Sequence, residues 1–224
     1  MRKYDNVIFD LDGTLLNTKV GIVSSLIEMT SNLNLSQIPE CDYNRFIGPP
    51  IEQSVREYYG FDELQTREAA MMFRKIYAEK HLFDAVPYEN ILDTLAKLKD
   101  SGLNLAIATY KRHDYAEKAI KYFGLDKYCN PYIGSDTDSR TTKTAIILAC
   151  ISKMNANVLR TVYIGDTEHD RIGAKEANID FIGVTYGFGY NKNSRLEYSV
   201  DSPEKIINLI LGEDNNNDLR LHTS

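Results

Sequence analysis

The sequence predicts an α/β protein: a Rossmann-like parallel sheet core with helices on both faces, plus an inserted all-helical cap domain. Three observations predict it. Short apolar runs suited to strands buried on both faces recur along the chain. Stretches of helical periodicity separate the later runs, which implies crossover connections and a parallel sheet. The first run is instead followed by residues 18–84, where helical patterns occur and no convincing strand does.

Val7-Ile8-Phe9 is the first run, and it stops abruptly at Asp10-Leu11-Asp12-Gly13-Thr14. The insert follows, with helical patterns at Val20 to Ile27, Ile51 to Tyr59 and Arg67 to His81. Gly48-Pro49-Pro50 interrupts these as a turn or loop. Ile91, Leu92, Leu95 and Leu98 then share a helix face that ends at Ser101-Gly102. Leu103 to Thr109 is the second strand, and Ala116, Ala119, Ile120 and Phe123 mark a helix before Gly124. Pro131 to Ser135, Thr161 to Asp166 and Phe181 to Thr185 complete the strands. Helices at Thr144 to Ser152 and Asp170 to Ala177 lie between them, and a polar tail runs from Gly212 to Ser224. The expected division is a catalytic core of residues 1–17 and 85–224, with residues 18–84 as a lid over the sheet edge.

At 224 residues with 43% hydrophobic and 26% charged positions, the chain can bury a real core. A net charge of −6 gives no electrostatic reason to expect a nucleic acid polymer or an anionic membrane as partner. No segment approaches the run of about 20 apolar residues that crosses a bilayer. Cys41, Cys129 and Cys150 form no CxxC pair and read as reduced, mostly structural thiols. A soluble, cytoplasmic protein is expected. Asp136-Thr137-Asp138 resembles the start of a calcium loop, but Thr141 and Ile147 stand where Gly and Glu are needed.

The chemistry gathers at the strand ends, where ligands of parallel sheets bind. Asp10 and Asp12 lie two apart, and Gly13 frees the backbone to turn behind them. Taken alone they are equally a turn rich in Asp and Gly. Thr109 offers a hydroxyl at a strand end, or simply a helix cap. Lys143 precedes an apolar helix, where the dipole does not favour it, although a lysine is most often a surface residue. Asp166 ends the fourth strand, and Asp170 falls in a first helical turn that it also suits as a cap. Their shared edge decides the matter. Clustered carboxylates repel unless a cation is present. Hard oxygen donors without a His or Cys cluster suit magnesium, and magnesium with Lys143 supplies the local positive charge that an anionic substrate needs. Asp10, which ends the buried strand, is the better nucleophile candidate. Asp12 is the acid and base, while Thr109, Lys143 and the metal stabilise the transferring oxygens.

Asp10-Leu11-Asp12-Gly13-Thr14-Leu15, Thr109, Lys143 and Gly165-Asp166-Thr167-Glu168-His169-Asp170 together resemble the four motifs of the haloacid dehalogenase-like superfamily. The resemblance implies Asp10 as nucleophile and Asp12 as acid/base. It implies magnesium held by Asp10, Asp166 and the backbone carbonyl of Asp12, with Asp170 supporting the metal shell or Lys143. An acid at Asp12 argues for a phosphatase, against dehalogenase chemistry on carbon and against the transport ATPases. Phe46-Ile47-Gly48-Pro49-Pro50, Asp126-Lys127-Tyr128 and the Gly-Asp-x-Glu-His-Asp string resemble the phosphoglycolate phosphatase-like group, most closely its 5′-nucleotidases. Tyr110 departs from the usual Thr-Ser-Lys, and Asn17 stands where many members have Asp.

Gly13, Thr14, Gly48, Pro49 and Tyr110 are the expected substrate contacts. Arg45, Arg56 and Arg74 are candidate anion contacts but read more readily as solvated helix charges. Tyr58, Tyr59 and Tyr77 read more readily as packing aromatics than as base-stacking ones. Tyr186-Gly187-Phe188-Gly189 is a candidate lining for the site entrance, while His113 and His169 receive no role. The expected substrate is a small phosphorylated metabolite, a 5′-nucleotide or a phosphoglycolate-like acid. The alternatives are a sugar-phosphate mutase of β-phosphoglucomutase type, using the same two aspartates, and a non-catalytic binding protein. Oligomeric state leaves no trace in the sequence.

Overall fold

The structure, a computed structural model, describes residues 3–136 and 141–212. The calcium-loop residues Thr137 and Asp138, and most of the polar tail, lie outside the described residues. Strand β1 (Asn6–Phe9) sits inside a six-stranded sheet whose neighbouring strands all pair in parallel. Beside it run β4 (Asn104–Arg112) and, beyond that, β5 (Tyr132–Ser135). On its other side lie β6 (Thr161–Gly165), β7 (Asp180–Val184) and β8 (Ser199–Val200).

Alternation along the strands explains the two helical layers. Val7, Phe9, Leu105, Ile107, Val162 and Ile164 face one way and pack with α4 (Ile91–Asp100), α5 (His113–Tyr122) and α8 (Pro203–Leu211). Ile8, Ala106, Ala108 and Tyr163 face the other way, against α6 (Lys143–Met154) and α7 (Glu168–Glu176). A strand with both faces covered has no polar side to show, hence the unbroken apolar runs.

Two strand predictions need correction. The second strand does not end at Thr109: β4 continues to Arg112, with a register irregularity between Ala108 and Arg112. Its last residues are polar and partly exposed, so no apolar run marks them. The two-residue strands β2 (Leu16–Asn17), β3 (Val86–Pro87) and β8 are too short to carry a period. β2 and β3 pair antiparallel and tie together both ends of the helical insert.

Within that insert, α1 (Lys19–Asn32), α2 (Ile51–Tyr59) and α3 (Glu63–Ile76) share a hydrophobic cluster of their own, containing Leu26, Met29, Phe46, Val55 and Phe73. Tyr115 of α5 joins it from the sheet side. Gly60, left-handed at φ 70°, stops α2, and a capping box between Asp62 and Gln65 starts α3. A π-helical turn, Tyr77–His81, continues α3 towards the ribbon. Among the described residues, no helix is long and apolar enough to cross a membrane.

Candidate active site

Asp10 and Asp166 converge because their strands are neighbours, β1 pairing with β6 through Phe9 and Ile164. The Asp10 amide donates to the Ile164 carbonyl at 2.8 Å, and the chain then turns through Leu11 to Leu16. Gly13 adopts φ +85° in this turn, and a Cβ there would stand 2.2 Å from Asp166 Oδ2. Only glycine lets the turn pass this close to the carboxylate. From the loop after β7, the amides of Phe188 and Gly189 donate to Asp166 Oδ2 at 2.8 and 3.4 Å. Asp166 Oδ1 is buried and, among the described residues, has no hydrogen-bond partner.

Lys143 is no surface lysine; it is 3% exposed. Thr142 caps α6 and Lys143 is its first residue, and from there Nζ reaches Asp10 Oδ1 at 2.7 Å and Asp170 Oδ1 at 2.8 Å. Asp170 also closes a capping box with Thr167, so it caps α7 and binds Lys143 at once. Carboxylate oxygens of Asp10, Asp166 and Asp170 lie within 4.8 Å of one another. Burial drives the Asp10 carboxyl up to about 7; Lys143 opposes this, while Asp170 and Asp12 reinforce it. Burial also pushes Asp166 well above the usual carboxylate range, again with Asp170 and Asp10 adding to it. At Lys143, burial works against the charge but the two carboxylates outweigh it and hold the ammonium protonated. Asp10 and Asp170 share one ammonium, and one oxygen of the neighbouring Asp166 has no partner among the described residues. These residues fit a hard divalent cation such as magnesium.

Thr109 is buried on β4, two residues past Ile107, which pairs with Phe9. Its Oγ1 accepts from the Lys111 amide at 3.2 Å. The Tyr110 hydroxyl accepts from the Lys143 amide at 3.0 Å, which ties the departure at Tyr110 to the start of α6. Asp12 contributes no carboxylate to the three-aspartate cluster; both its oxygens accept from Lys111 Nζ at 3.1 Å. A cavity of about 90 Å3 adjoins them, and Gly48, Pro49, Tyr77, Tyr110, Lys111 and Asp12 are among its walls. Thr14 is buried, with its hydroxyl unpartnered among the described residues. The substrate contacts expected from sequence therefore divide: Gly48, Pro49 and Tyr110 line this cavity, while Gly13 and Thr14 lie in the turn after β1.

The candidate arginines disperse. Arg74 lines the cavity and pairs with Glu52 at 2.5 Å, Arg56 lines an outer groove of about 1100 Å3, and Arg45 stays against Asp42 and Tyr58. Tyr58 and Tyr59 pack in an aromatic row with Phe46 and Phe61. His169 lies edge-on to Tyr110, and His113 accepts from the Gly134 amide. Sequence reasoning gave no role to Lys111, and it placed the loop of Phe188 and Gly189 at the site entrance without foreseeing that their amides bind Asp166. For Lys111 the available signals are its place two residues after Thr109 on the same strand and its match to the lysine of the usual Thr-Ser-Lys.

This architecture, with acids at the ends of adjacent parallel strands and a buried lysine between them, defines a class. The family model for haloacid dehalogenase-like hydrolases matches residues 7–184. The chain belongs to that family, as a phosphatase. A 5′-nucleotidase of Pseudomonas aeruginosa is 32% identical over 188 residues, covering 84% of this chain and 85% of that protein. Tyrosine-protein kinase PtkA of Mycobacterium tuberculosis is 32% identical over 185 residues, but the matched part is only 62% of its length. Other relatives are named phosphoglycolate phosphatase. The crystal structure described as a "predicted phosphatase" of Clostridium acetobutylicum superposes with a TM-score of 0.87 at 34% identity, covering 93% of this chain and 99% of that one.

Proposed function

We propose that this phosphatase is magnesium-dependent and hydrolyses a small phosphomonoester, a 5′-nucleotide or a phosphoglycolate-like acid, through an aspartyl-phosphate on Asp10. The observation that carries this reading is the buried set in which Asp10, Asp166 and Asp170 meet within 4.8 Å while Lys143 binds Asp10.

Asp10, Asp166 and the backbone carbonyl of Asp12 would hold the metal, and Asp170, whose oxygens already bond Thr167 and Lys143, positions the lysine. Bound there, magnesium supplies Lewis-acid stabilisation of the transferring phosphoryl oxygens. The Asp10 carboxylate attacks phosphorus, and the bond to the leaving oxygen breaks as the new P–O bond forms. Asp12 gives its proton to the leaving oxygen, then takes one from the water that cleaves the aspartyl-phosphate. Lys143 and Thr109 bind the transferring oxygens, where charge accumulates.

Residues 18–84 act as the lid, and the Gly48-Pro49 loop helps to exclude water over the site. The cavity of about 90 Å3 suits a leaving group of few atoms, and the groove of about 1100 Å3 offers room for a larger one. The three cysteines are free, in keeping with a reducing cytoplasm. No nucleic acid polymer or membrane enters this reading.

The test is phosphate release from 2-phosphoglycolate, 5′-nucleotides and hexose phosphates with and without magnesium, run beside Asp10→Asn. Magnesium-dependent turnover that vanishes in the variant is the expected result. Equal rates in the variant would overturn the nucleophile assignment. Isomerisation of a hexose phosphate without phosphate release would establish the mutase instead.

A further inference from the structure

Lys111 carries a role of its own. Its side chain is 5% exposed, and Nζ donates to both oxygens of Asp12 at 3.1 Å and to the Tyr77 hydroxyl oxygen at 2.6 Å. An ammonium has three N–H donors, and these three contacts use all of them. A buried ammonium tolerates no orphaned donor, so the position of Lys111 depends on each partner.

The partners come from different parts of the fold. Asp12 follows the first strand of the sheet, Lys111 lies on the irregular end of β4, and Tyr77 belongs to the helical insert. Tyr77 itself is well fixed. It is 4% exposed, stacks on Phe73 at 5.8 Å between ring centroids, and meets Tyr115 of α5 edge-on at 6.2 Å. It begins the π-helical turn, a distortion that re-aims a side chain relative to the regular helix before it. Lys111 Nζ also lies 4.7 Å from the centre of the Tyr77 ring, so hydroxyl and ring face hold the same cation. Among the described residues, Lys111 is the only side chain bonded to the Asp12 carboxylate.

We infer that Lys111 is a positioning residue that couples the seating of the helical insert to the aim of Asp12: Tyr77 holds Lys111, and Lys111 holds the carboxylate that handles the proton. When the insert lifts away, Tyr77 leaves with it, one N–H of Lys111 loses its partner, and the ammonium that holds the Asp12 carboxylate is no longer fixed from its third side. Proton transfer is thereby favoured in the seated state, in which Gly48 and Pro49 line the cavity beside Asp12. The inference rests on the proposed acid–base role of Asp12.

Its test separates proton delivery from everything else through the leaving group. An alkyl phosphate needs its leaving oxygen protonated, whereas p-nitrophenolate leaves unaided. The value of kcat/KM for the two esters is measured with magnesium for the native protein and for Asp12→Asn, Lys111→Met and Tyr77→Phe. Asp12→Asn sets the scale: a loss of ~10²-fold or more on the alkyl ester and much less on p-nitrophenyl phosphate. Lys111→Met is expected to reproduce most of that selective loss. Tyr77→Phe, which keeps the packed ring and removes only the acceptor oxygen, is expected to lose ~3–10-fold on the alkyl ester alone. An unselective Asp12→Asn would sink the acid–base role itself. A selective Asp12→Asn beside a Tyr77→Phe that changes neither ester, or both equally, would overturn the coupling and leave that role standing. Should Lys111→Met not fold, the Tyr77→Phe result decides alone.

Discussion

Lys143 Nζ lies 2.7 Å from Asp10 Oδ1 in a site from which both side chains exclude water almost completely. The same ammonium binds Asp170 at 2.8 Å, so its removal strands two buried carboxylates. Lys143→Met is expected to lower stability by about 3–5 kcal/mol in urea denaturation without magnesium. Protonation of Asp10 relieves part of this, so the deficit should be larger at pH 8 than at pH 6. A variant as stable as the native protein at pH 8 would contradict the pairing.

The raised carboxyls set the pH dependence of the metal-free protein. Asp10 is held near 7 by burial, against the usual carboxylate range when unfolded. Between those values the folded state binds more protons than the unfolded one, so stability falls as pH rises, and the fall stops for this group above about 7. Asp166, also raised, acts with the same sign. Urea midpoints measured from pH 4.5 to 8 should therefore drop more steeply in the native protein than in Asp10→Asn. Magnesium favours the ionised carboxylates and should flatten the native profile. A native-minus-variant difference that rises with pH would be the wrong sign.

Gly13 is a position where the backbone dictates the residue. Alanine there must hold φ +85° and place a methyl group against Asp166 Oδ2. Strain of this kind costs roughly 1–3 kcal/mol, and relieving it moves Asp166. Gly13→Ala should lose stability and weaken magnesium binding together, as read by calorimetric titration and urea melts. Retained magnesium affinity would mean that the turn relaxes without disturbing the carboxylate.

Tyr110, bulkier than the residue expected there, earns a structural account through its hydroxyl, which accepts from the Lys143 amide at 3.0 Å. Tyr110→Phe leaves that amide unbonded by the side chain and should cost about 1 kcal/mol in stability. The effect is measured against Tyr122→Phe, a tyrosine 64% exposed and away from the site, which should be near neutral.

Much of the core was legible because burial on both faces writes itself into the strands as unbroken apolar runs. Val7-Ile8-Phe9 and Thr161 to Gly165 stop where their acids begin, and a carboxylate at the end of such a run has few structural uses. The end of β4 and the strands of the ribbon were not legible, since their residues are polar or too few to show a period. Lys143 and Lys111 make the sharper contrast. A chain of 26 lysines and arginines gives no sign by itself of which ones are buried. Lys143 stood out because the dipole at a helix start disfavours it and because it falls in order among the four motifs. Lys111, in a polar stretch of strand, was marked only as the lysine of a Thr-x-Lys string, with nothing to show its burial.

The sequence by itself determined the family, the parallel sheet and the set of acids, because local periodicity and motif order survive without knowledge of contacts. Tertiary structure alone decided which partners each of those acids meets. It turned Asp12 away from the aspartate cluster towards Lys111, occupied Asp170 with Thr167 and Lys143, and left Asp166 with an unpartnered oxygen. Residues up to 133 positions apart set these contacts, through distances of about 3 Å in a site that water barely reaches. At that range a charge is defined by its neighbours, and neighbours in space are what a linear chain does not list.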